Sequence, residues 1–251
     1  MAAAAATATS SAIEPGTIEV VATIGDTRVS VLRKDLEDEE SIGDVDPRFF
    51  DPDYSVAAST GMVMWEGSWA AVELLRKESS WLLDMLRGKR VVELGSGIGL
   101  LGLCAAAAGS HVLLTDVPSV VEERLEPNLQ HATTGPPIGA ADGWLDARTL
   151  GRGSAAVQPL DWYKRVDEQA TPNDPRECDL ILAAECVWLR ELVEPFVETV
   201  VALMRGPKKP KCILAFRERA KAESTTFSSL ATVAETFRER GVTIKEDLGS
   251  Y

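Results

Sequence analysis

The amino-acid sequence predicts an α/β protein, a doubly wound and mainly parallel sheet preceded by an N-terminal β-hairpin. Three features carry that expectation. From Gly88 onward, short apolar β-type runs alternate with segments of helical periodicity, the pattern of repeated strand–helix units. The first run, residues 91–94, enters three alternating glycines, Gly95, Gly97 and Gly99, that open a helix. The second run, residues 111–115, ends at Asp116, 21 residues after Gly95.

In chain order, residues 17–24 and 27–32 are β-rich and flank Gly25-Asp26, a two-residue hairpin signal. Residues 35–53 are acidic and turn-rich, with Asp-Pro at 46–47 and 51–52. Over residues 68–86 apolar side chains recur at helical spacing (Trp69, Val72, Leu75, then Trp81 and Met85), giving one or two helices with both tryptophans in the core. Residues 91–94 form a strand, and residues 100–108 a small-residue helix closed by Gly109. A second strand covers 111–115, followed by a helix over 119–130 behind Pro118. Residues 132–156, rich in Gly, Ala, Pro and Thr, read as a loose insertion in which Trp144 has no assignable place. A third strand at 157–160 is limited by Pro159, and a fourth at 178–184 is fully apolar. Then come a helix over 189–204, a strand over 211–216, an amphipathic helix over 224–240 and a sixth strand from 242 to 245. Three regions result: an Ala-rich disordered tail (1–16), the hairpin with its acidic segment (17–59) and the main domain (60–251).

Composition narrows the function classes. The chain has 251 residues, 45% hydrophobic and 26% charged, and 26 basic against 39 acidic side chains leave a net charge of −13. That length suits one large α/β domain and the composition excludes wholesale disorder. No apolar run reaches the ~18 residues of a spanning helix. The acidic balance argues against broad contact with nucleic-acid phosphates and favours a basic protein or a cationic small molecule. Four cysteines without a C-x-x-C pair read as reduced thiols of an intracellular protein, which places the chain in the cytoplasm and extends to the nucleus. Two histidines supply a zinc site or a triad poorly.

The glycine run holds most of the chemical information. Glycine allows a sharp turn and lets a ligand approach the amides at a helix start. A carboxylate at Asp116 can accept both hydroxyls of a ribose. Gly97-Ile98-Gly99-Leu100-Leu101-Gly102 also spells G-x-G-x-x-G, so a dinucleotide remains an alternative on this pattern alone. Glu93 favours a different ligand, because its carboxylate would repel a pyrophosphate but suits ammonium and sulfonium charges. S-adenosyl-L-methionine carries both, with a carboxylate for the helix start and a ribose for Asp116.

Residues 91–102 with Asp116 resemble the seven-β-strand, class I S-adenosylmethionine-dependent methyltransferases, with their Rossmann-like fold. Thr60-Gly61-Met62-Val63-Met64-Trp65-Glu66-Gly67-Ser68 looks like the segment before the sheet in the lysine-methyltransferase-like group, which includes modifiers of chaperones. Leu160-Asp161-Trp162 resembles that group's Leu-x-Trp, and residues 179–188 resemble its fourth strand and acidic-x-x-aromatic motif, here Glu185 to Trp188. The similarity runs from about Thr60 to Arg217, the latter matching a basic residue the group often carries after strand five.

The resemblance implies cofactor contacts from Trp65, Gly95, Ser96, Gly97, Gly99, Asp116, Trp162 and Ala184, and the charge argument adds Glu93, at the end of the first strand, as a cofactor-binding residue. It implies that Glu185 and Trp188 serve the acceptor, and that the reaction is methylation of a lysine in a protein partner. A helical turn starting at Glu185 would bring both side chains to one face. Read simply, Glu185 is a carboxylate at a helix start. Three departures stand out. The motif's aromatic is Trp188 where Tyr or Phe is usual, residues 132–156 form a long insertion, and the chain stops before the seventh, antiparallel strand that closes the family's sheet. Methylation of another side chain or a small molecule, and a cofactor-binding scaffold without turnover, stay open at this point.

Overall fold

A computed structural model describes residues 16–35, 61, 65–77, 81–138, 143–218 and 224–245. The expected tail and acidic segment lie outside these residues. The hairpin forms as expected: β1 (Thr17–Ile24) pairs antiparallel with β2 (Thr27–Lys34) in full register around the Gly25-Asp26 turn. Helices α1 (Glu66–Arg76) and α2 (Trp81–Leu86) follow. Next come β3 (Arg90–Leu94), α3 (Leu100–Ala108) and β4 (His111–Asp116). The helix after β4 has three parts, α4 (Pro118–Val120), a π-helical turn (Val121–Leu125) and α5 (Glu126–Ala132). Then follow β5 (Arg148–Leu150), β6 (Gly153–Pro159), β7 (Leu180–Ala184), α6 (Val193–Met204), β8 (Lys211–Ala215) and α7 (Leu230–Glu239).

Six strands make one sheet in the order β5-β6-β4-β3-β7-β8, parallel except for β5. The chain leaves β3 toward β4 on one side and returns to β7 on the other. Such a switch point opens a crevice beyond the carboxyl ends of the strands. One apolar layer joins α1, α2, α3 and the hairpin to one face of the sheet, and a second joins α6 and α7 to the other. All nine residues of α3 are buried, which their small size permits. Gly102 allows the closest approach: a Cβ there would collide with Leu114 and with the Glu93 carboxylate.

The hairpin is tied to the domain by polar groups as well. Asn128 of α5, 1% exposed, accepts from the Leu32 amide at 2.8 Å and donates to the carbonyls of Leu32 (3.0 Å) and Ile98 (2.8 Å). One side chain thus links the hairpin, α5 and the glycine loop. Beside it, Ser30 hydrogen-bonds the Glu19 carboxylate and lies 3.0 Å from His131 Nε2.

Several expectations need correction. The sixth strand is β5, drawn from the stretch expected to be loose, while residues 242–245 form no strand. The expected lack of a closing strand concerns chain from residue 246 onward, outside the described residues. Trp144 is fully buried: its indole N–H donates to the His111 carbonyl at 2.9 Å and the Arg90 guanidinium lies 4.1 Å from its ring centre. Trp81, expected in the core, is 46% exposed, and the apolar face of α2 is instead Leu82, Leu83 and Leu86. Trp69 does pack on the core. The last two helices start later than their periodicity indicates. Leu189 bridges antiparallel to Phe227, which uses both approaches, and Ser229 caps α7 by accepting from the Thr232 amide at 3.1 Å. Among the described residues no helix is long and apolar enough to cross a membrane.

The two tryptophans therefore predict opposite outcomes. Trp144→Ala should cost about 3–5 kcal/mol of unfolding free energy, as for large aromatics removed from a core. Trp81→Ala should stay within about 0.5 kcal/mol of the parent. Urea titration of both variants checks the pair.

Candidate functional site

Gly95, Gly97 and Gly99 have φ of 64°, 54° and 83°, the left-handed region that side chains disfavour. Each is also enclosed. A Cβ at Gly95 would collide with Cys186 and stand 3.3 Å from the Trp162 ring, and one at Gly97 would lie 3.1 Å from the Gly61 carbonyl. Ser96 ties this turn to the neighbouring strand: its amide donates to the Thr115 carbonyl (2.9 Å) and its hydroxyl accepts from the Thr115 amide (3.0 Å).

Asp116, at the carboxyl end of β4, reaches the same turn. Its two oxygens accept from the amides of Gly97 (2.9 Å) and Val117 (2.8 Å). Burial pushes its pKa up to about 6 against the pull of those two amides. Each carboxylate oxygen has a second lone pair for a ligand hydroxyl. Glu93 is 3% exposed and its carboxylate lies between α3 and the sheet, beside Gly102 and Leu114. Burial raises its pKa to about 8, with the Asp116 charge adding and the Ser96 hydroxyl and Gly102 amide opposing. What Glu93 does for a ligand it therefore does through the loop it braces.

Trp162 follows β6, half-buried, and packs edge-on against Phe196 at 5.1 Å. That contact fixes the ring next to Gly95. Ala184 closes β7 opposite Ala215 and is 7% exposed. Trp65 stands half-buried at the start of α1 and gives that helix no side-chain cap.

The cap comes from Glu185 instead. This residue has φ of 53°, its amide donates to the Ala215 carbonyl at 2.9 Å, and its Oε2 accepts from the Gly67 amide at 3.1 Å. Next to Gly67, Glu66 forms an ion pair with Arg217. Residues 185–188 are not helical, so Glu185 and Trp188 do not share a helix face as expected. The left-handed dihedral at Glu185 turns the two apart: Glu185 faces α1, and Trp188 packs on Phe227 with ring centres 6.2 Å apart. The simpler reading of Glu185, a carboxylate at a helix start, holds geometrically, but the helix is α1 and lies 118 residues earlier in the chain.

The carboxyl edge thus gathers Gly95, Trp162 and Cys186 in one place, Gly97, Asp116 and Gly61 beside them, and Glu185 with Gly67 behind. Sequence reasoning passed over Cys186, Gly61 and Gly67 here, and Asn128 and Phe227 around them. Cys186 and Gly67 lay inside motifs already quoted, and their only signal was small size between larger residues. Burial pushes the Cys186 thiol well above its usual range, with the Asp116 carboxylate adding. Asn128 and Phe227 carried no signal.

The donor set fits S-adenosylmethionine. The glycines leave the backbone of the turn open to close approach, Asp116 offers acceptors for hydroxyls, and Trp162 offers an aromatic face. Comparison with known proteins agrees. Residues 53–233 match a family model described as lysine methyltransferase. EEF1A lysine methyltransferase 3 of Mus musculus is 33% identical over 144 residues, covering 56% of this chain and 50% of that protein. Protein N-lysine methyltransferase METTL21A of Danio rerio is 32% identical over 144 residues (57% and 56%), and calmodulin-lysine N-methyltransferase of Arabidopsis thaliana is 26% identical over 157 residues (62% and 45%). The chain spans about half the length of the curated relatives it matches.

Two predictions follow from this geometry. Gly97→Arg combines a left-handed backbone with a side chain where the Gly61 carbonyl stands, so it should abolish binding of S-adenosylhomocysteine in calorimetric titration. Unchanged affinity in a folded variant would remove the ligand from this loop. The second concerns pH. An exposed glutamate ionises near pH ~4.3, whereas folded Glu93 holds its proton to about 8. Its contribution to stability is therefore complete below the lower value and is lost as pH rises through the upper one. Asp116 adds the same trend up to about pH 6. Glu93→Gln should flatten the decline between roughly pH 5 and 8 by on the order of 1–3 kcal/mol, read from urea midpoints across that range.

Proposed function

Because the chain belongs to the lysine methyltransferase family, we propose that it transfers a methyl group from S-adenosylmethionine to a lysine side chain of a protein. The observation that carries this reading is the conjunction at the carboxyl edge. A glycine-rich turn, held by Asp116 and covered by Trp162, lies one strand from a buried carboxylate. The cofactor, when bound, supplies a methyl group made electrophilic by its sulfonium charge.

The residues of the chain do the remainder. The glycine turn from Gly95 to Gly99 admits the amino-acid end of the cofactor, Asp116 takes the ribose hydroxyls, and Trp162 lies along the adenine. Ala184 leaves room at the end of β7. A lysine amine has an ordinary pKa of ~10.4 and must lose its proton before it attacks. Removal from water beside a positive charge favours the neutral amine, and Glu185 orients it. Trp188, backed by Phe227, walls the approach and offers a ring face to the incoming cation.

The net charge of −13 supports a basic segment as the partner surface and weighs against nucleic acid. The free cysteines support a reducing compartment, so we place the protein in the cytoplasm, extending to the nucleus.

Incubation with tritiated S-adenosylmethionine and whole-cell extract, followed by mapping of the labelled residue, tests the reaction. Label on a lysine of a discrete protein is expected. Label on another side chain, on a small molecule or nowhere would displace the reading. On the mapped band, Glu185→Gln should lower turnover by about a hundredfold, comparable with loss of a positioning contact, and leave affinity for S-adenosylhomocysteine within about twofold. Trp188→Ala should also lower turnover, and Trp188→Tyr should retain part of it.

A further inference from the structure

We infer that Gly67 is the positioning residue for the acceptor carboxylate, holding Glu185 through its backbone amide and through the absence of a side chain. This rests on the reading that Glu185 serves the lysine amine. Gly67 is the second residue of α1, in ordinary helical conformation and outside the left-handed positions of the chain. Glycine is a poor helix former, and nothing in the backbone calls for it there. Space does. A Cβ at Gly67 would collide with Cγ of Glu185 and lie 2.7 Å from its carboxyl carbon.

Glu185 cannot retreat. Its backbone is anchored by the 2.9 Å bond to the Ala215 carbonyl and fixed at a φ of 53°, and the side chain is 4% exposed. The Gly67 amide at 3.1 Å holds the carboxylate from the front. On the other side of this helix start Glu66 pairs at the surface with Arg217 beyond β8, so the first turn of α1 meets the chain leaving β7 and the chain leaving β8. Its glycine sets where the carboxylate of the acceptor site stands. Any larger residue at position 67 moves that carboxylate and leaves the glycine turn at Gly95–Gly99 untouched.

The test is a double-mutant cycle of Gly67→Ala and Glu185→Gln in the full chain. It uses tritiated S-adenosylmethionine with the extract protein labelled by the parent, S-adenosylhomocysteine for affinity and thermal melting for folding. Gly67→Ala should lower kcat by about tenfold or more, as expected for a misplaced group, with KM and S-adenosylhomocysteine affinity within about twofold. In the Glu185→Gln background the same substitution should change kcat by less than about twofold. Glu185→Asp serves as the second variant. It keeps the charge, falls one methylene short of the Gly67 amide and should lose as much turnover as Glu185→Gln. An equal fall from Gly67→Ala in both backgrounds, or parent-like turnover of Gly67→Ala or Glu185→Asp, overturns the assignment and leaves the proposed reaction standing. Parent-like turnover of Glu185→Gln itself removes the acceptor role of Glu185 and the assignment with it.

Discussion

Between β3 and α3 the chain turns through three glycines with left-handed dihedrals, and a different neighbour encloses each of the first two. Cys186 and Trp162 crowd Gly95, and the Gly61 carbonyl stands over Gly97. This crowding couples parts of the chain that are far apart in sequence. The segment before α1, the loop after β6 and the loop after β7 all meet at one turn, and any side chain placed there would push at least one of them away. The glycines keep the backbone of the turn open to close approach. Asn128, from the opposite side, ties the Ile98 carbonyl of the same turn to the hairpin.

Three buried carboxylates surround this turn, and each addresses backbone. Asp116 holds the amides of Gly97 and Val117, Glu93 lies against Gly102 under α3, and Glu185 caps α1 through Gly67. Burial alone would make such acids costly, as the raised values at Glu93 and Asp116 show. Amides at the starts of helices and turns offset part of that cost, because they present donors with no competing acceptor. The raised value leaves Glu93 protonated at neutral pH, while Asp116 and Glu185 are each held by backbone amides.

Around that edge the two faces of the sheet have different duties. The α3 face is dense with small residues and carries the hairpin, clamped by Asn128 and by the Glu19–Ser30–His131 group. The α6–α7 face carries the aromatic contacts, Trp162 on Phe196 and Phe196 on Phe237, that place the ring beside Gly95. The strap before α7 reaches from this face to the loop after β7, where the Ser228 amide donates to the Trp188 carbonyl at 2.9 Å and Phe227 backs the indole.

Periodicity and turn chemistry are local, and what they govern was legible in the sequence. The hairpin with its two-residue turn, the parallel strands, the glycine turn and Asp116 beyond the second strand all follow from spacing within about thirty residues. The resemblance added Trp162, Ala184 and the pair Glu185 and Trp188, again as a linear pattern. Three matters could not be read that way. Trp81 lies exposed where the core was expected, and Trp144, which had no assignable place, is buried, because burial depends on which helix face meets the sheet and on whether a loop folds back to form β5. Glu185 and Trp188 point to different neighbours because one left-handed dihedral replaced the expected helical turn. Gly67 looked like filler in a helix start until Glu185, 118 positions away, proved to occupy the space a side chain would need. The sequence by itself determined the hairpin, the parallel strands β3, β4, β6, β7 and β8 and the glycine turn after β3, since hydrogen bonding and hydrophobic period act between near neighbours. Only the tertiary structure decided which acids stand at which amides, because that depends on the room left when distant segments pack against one another.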